Sequence, residues 1–113
     1  MEDCLFCKII KNEIPSSKIY EDDEILAFND INPMAPIHIL IIPKKHIEGA
    51  DMLNDENSAV VSKIFVVASR LAEQYHLDNG FRIVTNVGED GGQTVRHLHF
   101  HLLGGKKLNT ELC

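Results

Sequence analysis

His97-Leu98-His99-Phe100-His101-Leu102-Leu103 alternates polar and apolar residues, the period of an extended strand whose successive side chains point to opposite faces. Residues two apart stand roughly 6.6–7 Å apart along such a strand. His97, His99 and His101 therefore share one face, and Leu98, Phe100 and Leu102 the other. An apolar row of this kind needs a cover. Upstream, in Glu56–His76, Val60, Ile64, Val67, Leu71 and Tyr75 recur every three or four residues, and Val61, Ala68 and Ala72 widen the stripe. That spacing predicts an amphipathic helix lying on an apolar surface. Asn54 or Asp55 can cap its start, and Asn79-Gly80 terminates the segment beyond its end.

The remaining segments complete the sheet. Lys18–Glu21 and Glu24–Asn29 read as two strands around a polar Asp22–Asp23 turn. Ile37–Ile42 is β-branched and nearly continuous, the mark of a buried strand, and ends at Pro43. Phe81–Asn86 reads as a further strand, and His97–Leu103 as the last, closed by Gly104-Gly105. Leu5–Lys11 carries Leu5, Phe6, Ile9 and Ile10 at helical spacing and is broken by Pro15. Asn32-Pro33 and Ala35-Pro36 punctuate a loop, and Gly88–Gly92 forms a glycine-rich one. The expected architecture is α+β: a five-stranded, mainly antiparallel sheet with one long helix on one face and one short helix. Residues 1–113, free of repeats and linkers, are expected to form a single domain.

Composition narrows the class of function. At 44% hydrophobic and 25% charged, the chain has the profile of a globular protein. No apolar run approaches the roughly 18–20 residues that span a membrane, and Met1–Lys11 lacks the basic and apolar regions of a secretion signal. Three cysteines argue against a disulfide framework and fit a reducing compartment, so a cytoplasmic location is expected, with no membrane partner. The net charge of −6 argues against a nucleic-acid surface. It leaves room for a small phosphate ligand, because screening limits the global field to about 8–10 Å. Lys44, Lys45, Arg96, Lys106 and Lys107, close in sequence to the histidines, read mostly as solvated surface charge.

Three imidazoles in a row can ligate a metal, supply a nucleophile with an acid–base partner, or line a wet sheet face. They are costly in a core unless hydrogen-bonded. Half of the six histidines fall within five residues. The row comes after a glycine-rich loop whose N–H groups can approach an anion, with Gln93 and Thr94 adding neutral donors. A free imidazole titrates near 6.5, so a neutral histidine is available as a nucleophile toward phosphorus while its neighbour donates a proton. Attack gives a phosphoramidate that water then hydrolyses.

The run His97–Leu103 resembles the motif of the histidine triad (HIT) family. Phe28-Asn29-Asp30-Ile31-Asn32-Pro33, Ile42-Pro43-Lys44-Lys45-His46-Ile47 and Gly91-Gly92-Gln93-Thr94-Val95 resemble segments of its Hint branch in the same order, and the similarity runs from Cys4 to Gly105. The resemblance implies that His99 is the nucleophile that takes the nucleoside monophosphoryl group. It implies that His101 contacts the phosphate and assists proton transfer, and that His97 orients the row or holds a metal. Asp30 falls where the family binds ribose hydroxyls. Leu5, Phe6, Ile9, Phe28 and Ile31 fall where it sandwiches a purine, although ordinary core is the competing reading for each. Asn86, Gln93 and Thr94 fall around the phosphate and leaving group. The family fold is an α+β sheet usually completed as a homodimer, and its Hint-type members hydrolyse purine nucleoside phosphoramidates, including adenylated lysine. Relatives that transfer nucleotides carry glutamine at the third position, so His101 favours hydrolysis.

Cys4-Leu5-Phe6-Cys7 supplies only two ligands, and a tetrahedral zinc site needs two more. His46 and His97 can complete a Cys₂His₂ set, an arrangement that resembles many prokaryotic HIT proteins. Such a zinc, one per chain, is expected to staple a small domain and leave the chemistry to His99 and His101. Cys113 is read as unrelated to it. Two rival functions stand beside the phosphoramidase: a dinucleoside polyphosphate hydrolase of the Fhit kind, and a non-enzymatic nucleotide-binding or scaffolding module. Many Hint proteins carry a tryptophan-containing tail after the Gly-Gly; this chain has no tryptophan, which bears on leaving-group preference.

Overall fold

The computed structural model describes residues 3–112; Cys113 lies outside them. The elements run α1 (Leu5–Ile10), β1 (Lys18–Glu21), β2 (Ile25–Asn29), β3 (Ile37–Pro43), a single 3-10 turn (Ala50–Met52), α2 (Ala59–Gln74), β4 (Arg82–Val84) and β5 (Phe100–Gly104). The five strands form one sheet in the order β1-β2-β3-β5-β4, and every neighbouring pair is antiparallel. This is the expected α+β architecture. The first hairpin closes where expected: Asp22 Oδ1 accepts the N–H groups of Glu24 and Ile25, each at 2.8 Å. β3 is the centre, with Ile39, Ile41 and Ile42 wholly inaccessible, which is why its sequence reads as one apolar run.

Ile64, Val67, Ala68, Leu71 and Ala72 of α2 are buried, and the first four pack on Ile39, Ile41, Leu98, Phe100 and Leu102. The apolar row of the histidine segment thus meets the helix stripe. The regular helix starts one turn later than Glu56. Asn54 Oδ1 accepts the N–H groups of Glu56 and Asn57 at 2.8 and 3.0 Å, capping a turn that leads into Ala59.

Both faces of the sheet are covered, where a helix on one face was expected. On the second face Phe6 and Ile9 of α1 pack with Leu26, Phe28, Leu40 and Ile42 in a smaller core, and the histidines lie beside it. The last two strands are shorter than their sequence pattern. Beyond Ile41↔Phe100 the β3–β5 ladder stops, because the Leu98 N–H bonds to the Ile47 carbonyl at 2.6 Å and the His97 N–H to the Val95 carbonyl at 2.9 Å. β4 stops at Val84, and the next residue, Thr85, turns its hydroxyl onto the His99 carbonyl at 2.7 Å. His97 and His99 therefore precede β5 and do not lie within it, and only His101 is a ladder residue.

Candidate functional site

The histidine row is inside the molecule, not on a wet sheet face: His97 is fully buried and His99 and His38 nearly so. Burial is tolerable because each ring is hydrogen-bonded, and the main-chain partners fix which nitrogen carries the proton. A carbonyl can only accept, so His97 donates Nε2–H to Pro43 O at 2.8 Å and keeps a lone pair on Nδ1. By the same rule His99 donates Nδ1–H to His97 O at 2.7 Å and keeps its lone pair on Nε2. The His99 and His101 rings meet edge-on, with centroids 5.1 Å apart at 63°. Burial, the largest influence, holds the pKa of His99 below 6.5 and pushes that of His101 down to about 4, aided by His99 and His38.

The lone pair of His97 Nδ1 points into a compact set of soft ligands. It stands 3.3 Å from Cys4 Sγ, 3.6 Å from Cys7 Sγ and 3.2 Å from His46 Nδ1, and Cys7 Sγ is 3.4 Å from His46 Nδ1. All four ligand atoms lie within 4.8 Å of one another. Two sulfurs and two imidazole nitrogens in this closeness form the donor set of a tetrahedral zinc. The Pro43 carbonyl supplies the outer contact that orients a ligating histidine. Burial, then the neighbouring Cys4, raises the Cys7 thiol to about 11; a divalent cation among the sulfurs reverses that cost. α1 is capped here as well, the Cys4 Sγ accepting the Cys7 N–H at 3.3 Å. The metal ligands drawn from the sequence are therefore brought together, and His97 belongs with the sulfurs.

A second group of three joins Asp30, His38 and His101. His38 Nε2 lies 2.9 Å from His101 Nδ1 and 3.4 Å from Asp30 Oδ2, and the Met34 N–H donates to His38 Nδ1 at 3.0 Å. Sequence reasoning does not single out His38, because it sits inside an isoleucine-rich strand. A signal is nonetheless present: one polar residue interrupting an otherwise apolar run. Thr85 also escapes, and an isolated threonine after a strand gives no signal.

Phe6, Ile9 and Phe28 are members of the second core, and Phe6 also walls the histidine row. The Phe6 ring stands edge-on to His99 with centroids 5.0 Å apart at 90°, and to Phe28 at 5.5 Å and 74°. Leu5 is partly exposed and Ile31 is 90% exposed, so Ile31 lies open at the rim beside Asp30. Asp30 Oδ1 accepts the Asn32 N–H at 2.8 Å. Asn86 is half-buried and Thr94 is exposed, the latter around an opening it shares with Cys4, Leu5 and His46. Gln93 faces inward. Its oxygen accepts from Gly88 N at 2.9 Å and Arg96 Nη1 at 2.8 Å, and its nitrogen donates to Glu48 O at 2.8 Å and Val95 O at 3.0 Å. That accounts for the whole capacity of a carboxamide, so Gln93 ties loops together and has no donor left for a phosphate. The glycine loop likewise keeps three N–H groups for internal bonds: those of Gly88, Gly92 and Gln93. Lys44 pairs with Glu21 at 2.9 Å and Arg96 with Asp51 at 3.2 Å, as surface charges.

Among the described residues no helix is long and apolar enough to cross a membrane. The HIT domain model matches residues 11–108. A HIT family hydrolase from Clostridium thermocellum superposes with a TM-score of 0.96 at 46% identity, over 100% of this chain and 99% of that one. A histidine triad protein from Clostridium difficile gives 0.93 at 53% identity, over 96% of each chain. The 14 kDa zinc-binding protein of Brassica juncea is 45% identical over 109 residues, 95% of this chain and 96% of the relative. Together with the buried histidine row, these matches settle the family: the chain belongs to the HIT domain family.

Proposed function

We propose that this protein is a Hint-like nucleotide hydrolase that cleaves a P–N bond at the α-phosphate of a purine nucleoside monophosphate conjugate, through a nucleotidyl-histidine intermediate. The observation that carries the proposal is the lock on His99. Its Nδ1–H is held by the His97 carbonyl at 2.7 Å, so Nε2 keeps its lone pair, and its lowered pKa keeps the ring neutral. A neutral, oriented imidazole is the form that attacks phosphorus. The similarity to a HIT family hydrolase over the whole chain supports the same class.

In the first step the His99 Nε2 lone pair bonds to phosphorus and the P–N bond breaks. The electron pair goes to the leaving nitrogen, which takes a proton delivered at His101 and drawn from solvent. In the second step water attacks phosphorus, the pair returns to His99 Nε2, and the water proton leaves to solvent. Phe6, Phe28, Ile9, Leu5 and Ile31 offer the apolar wall for the purine, and Asp30 the acceptor for ribose hydroxyls. Asn86 and Thr94 stand toward the phosphate and leaving group.

Cys4, Cys7, His46 and His97 would hold one zinc, which ties α1 to the loop after β3 and takes no part in the chemistry. The protein acts as a homodimer joined along β4. β4 is an edge strand of the sheet, flanked by the partly exposed Phe81 and, above β5, by Phe65, which leans on Phe100 at 5.6 Å.

Adenosine 5′-phosphoramidate and a dinucleoside tetraphosphate, offered side by side to the wild type and to His99→Ala, test the reading. The expected outcome is turnover of the first, abolished in the variant. Preference for the second would move the protein to the dinucleotide hydrolases. AMP binding without turnover of either would make it a binding module.

A further inference from the structure

The main chain of His99 is held by a side chain where a sheet would ordinarily hold it. The Asp30 N–H bonds to the His38 carbonyl at 2.9 Å, so the even-numbered residues of β3 turn their main-chain groups to β2. The odd-numbered ones turn theirs to β5, because the two sides alternate along a strand. Ile39 and Ile41 stand opposite Leu102 and Phe100, which directs the main-chain groups of His101 and His99 toward β4. The β4–β5 ladder pairs Arg82 with Leu103, Ile83 with Leu102 and Val84 with His101. Continued, it would set Asn86 opposite His99 and bring the Asn86 N–H to the His99 carbonyl. The strand ends at Val84 instead, and the Thr85 hydroxyl donates to that carbonyl at 2.7 Å. His99 is thus held at both ends: its ring Nδ1–H on the His97 carbonyl and its own carbonyl on Thr85. A β-branched side chain is stiff at χ1, so the threonine acts as a short strut.

We infer that Thr85 is a positioning residue of the nucleophile: its hydroxyl pins the main chain of His99 and, by standing in for a ladder N–H, releases Asn86 from the sheet. The two effects belong together. A regular ladder through Asn86 would also hold the His99 carbonyl, but it would commit the Asn86 main chain to the strand. With the hydroxyl in that place the chain departs after Val84, and Asn86 is left half-buried for the phosphate and leaving group. The inference rests on the phosphoryl-transfer reading for its purpose and on the strand register for its geometry.

Thr85→Val keeps the shape and removes only the O–H donor, and Thr85→Ser keeps the donor on a smaller side chain. Both are made in the intact zinc-loaded protein with 13C at the histidine carbonyls, so that the His99 carbonyl shift reports its hydrogen bond directly. That shift is expected to move upfield in Thr85→Val and to stay near the wild-type value in Thr85→Ser. On adenosine 5′-phosphoramidate, well below the melting temperature, kcat of Thr85→Val should fall about 10-fold, with KM little changed. A misplaced catalytic group can cost up to roughly 100-fold, and here one of the two ties on His99 remains. Thr85→Ser should recover most of kcat. A folded Thr85→Val protein with an unmoved His99 carbonyl shift, or with wild-type kcat, overturns the inference. Equal losses in the valine and serine variants overturn it too, because packing and not the hydroxyl would then be at work. Should the wild type turn over no phosphoramidate, the proposed function fails, and the carbonyl shift alone decides whether Thr85 holds His99.

Discussion

A histidine offers two nitrogens, and the environment of one decides the use of the other. Here main-chain groups make that decision for three rings: Pro43 O for His97, His97 O for His99 and the Met34 N–H for His38. The triad histidines were legible from their spacing alone, while the place of His97 among the cysteines came from the family resemblance. His38 was not legible, since nothing local in Ile37–Ile42 says that its ring meets His101 across the ladder. Burial of these rings has a consequence for stability. His101 titrates at about 4 in the fold because desolvation penalises its charged form, and near 6.5 when unfolded. Between those values the unfolded chain binds the extra proton, so His101 contributes stability above about pH 6.5 that is lost as pH falls toward 4. The melting temperature is therefore expected to drop across that window. His101→Gln, which removes the titrating group, should flatten the drop relative to wild type. Parallel pH profiles for the two proteins would show that the ring titrates alike in the folded and unfolded chain.

At the scale of elements the weakest piece is α1. It has six residues, below the roughly 12–15 at which an isolated helix becomes even marginal in water. Phe6 and Ile9 hold it to the sheet through the second core, and Cys4 and Cys7 bring it against His46 and His97. A zinc there would tie α1 to the sheet and keep Phe6 against His99. Metal analysis of protein purified without chelator is expected to give one zinc per chain, and Cys7→Ser far less. Chelation should raise hydrogen exchange through residues 4–11 and lower the melting temperature. The KM for a nucleotide substrate should rise as Phe6 leaves its place. Zinc well below one equivalent, or exchange in α1 that ignores the chelator, would mean that the second core alone holds the helix. The C-x-x-C was readable in the sequence as half a site. Its completion depended on residues 39 and 90 positions away from Cys7, a distance that periodicity cannot bridge. The strand ends escaped for a related reason: Leu98 and Thr85 leave the ladder for partners in other loops, and such tertiary contacts override a local alternating pattern.

For the whole molecule the decisive features are the two sheet edges. β1 and β4 each leave one side of a strand unpaired, and such edges invite pairing with another chain unless blunted. β1 ends in charge, with Lys18 and Glu21 paired to each other at 3.6 Å and Glu21 to Lys44 at 2.9 Å. β4 is only Arg82–Val84. Two aromatic rings mark its side of the molecule: Phe81, 43% exposed, directly before the strand, and Phe65, 46% exposed, over Phe100. Burying two such rings across a two-fold axis would count each twice, and because each is already more than half buried, each copy gains less than half of the roughly 1.5–3 kcal/mol that full burial of such a side chain is worth. A chain of 12.7 kDa gains more from such a surface than a large one does, because its own core is small. Sedimentation equilibrium is expected to report twice the chain mass for the wild type. Phe81→Glu places a charge at the centre of that surface and should yield the 12.7 kDa species with its circular dichroism intact. A wild type that sediments at the single-chain mass at micromolar concentration would mean that the two aromatic rings serve something other than a second copy, and β4 would have to be read as a free edge.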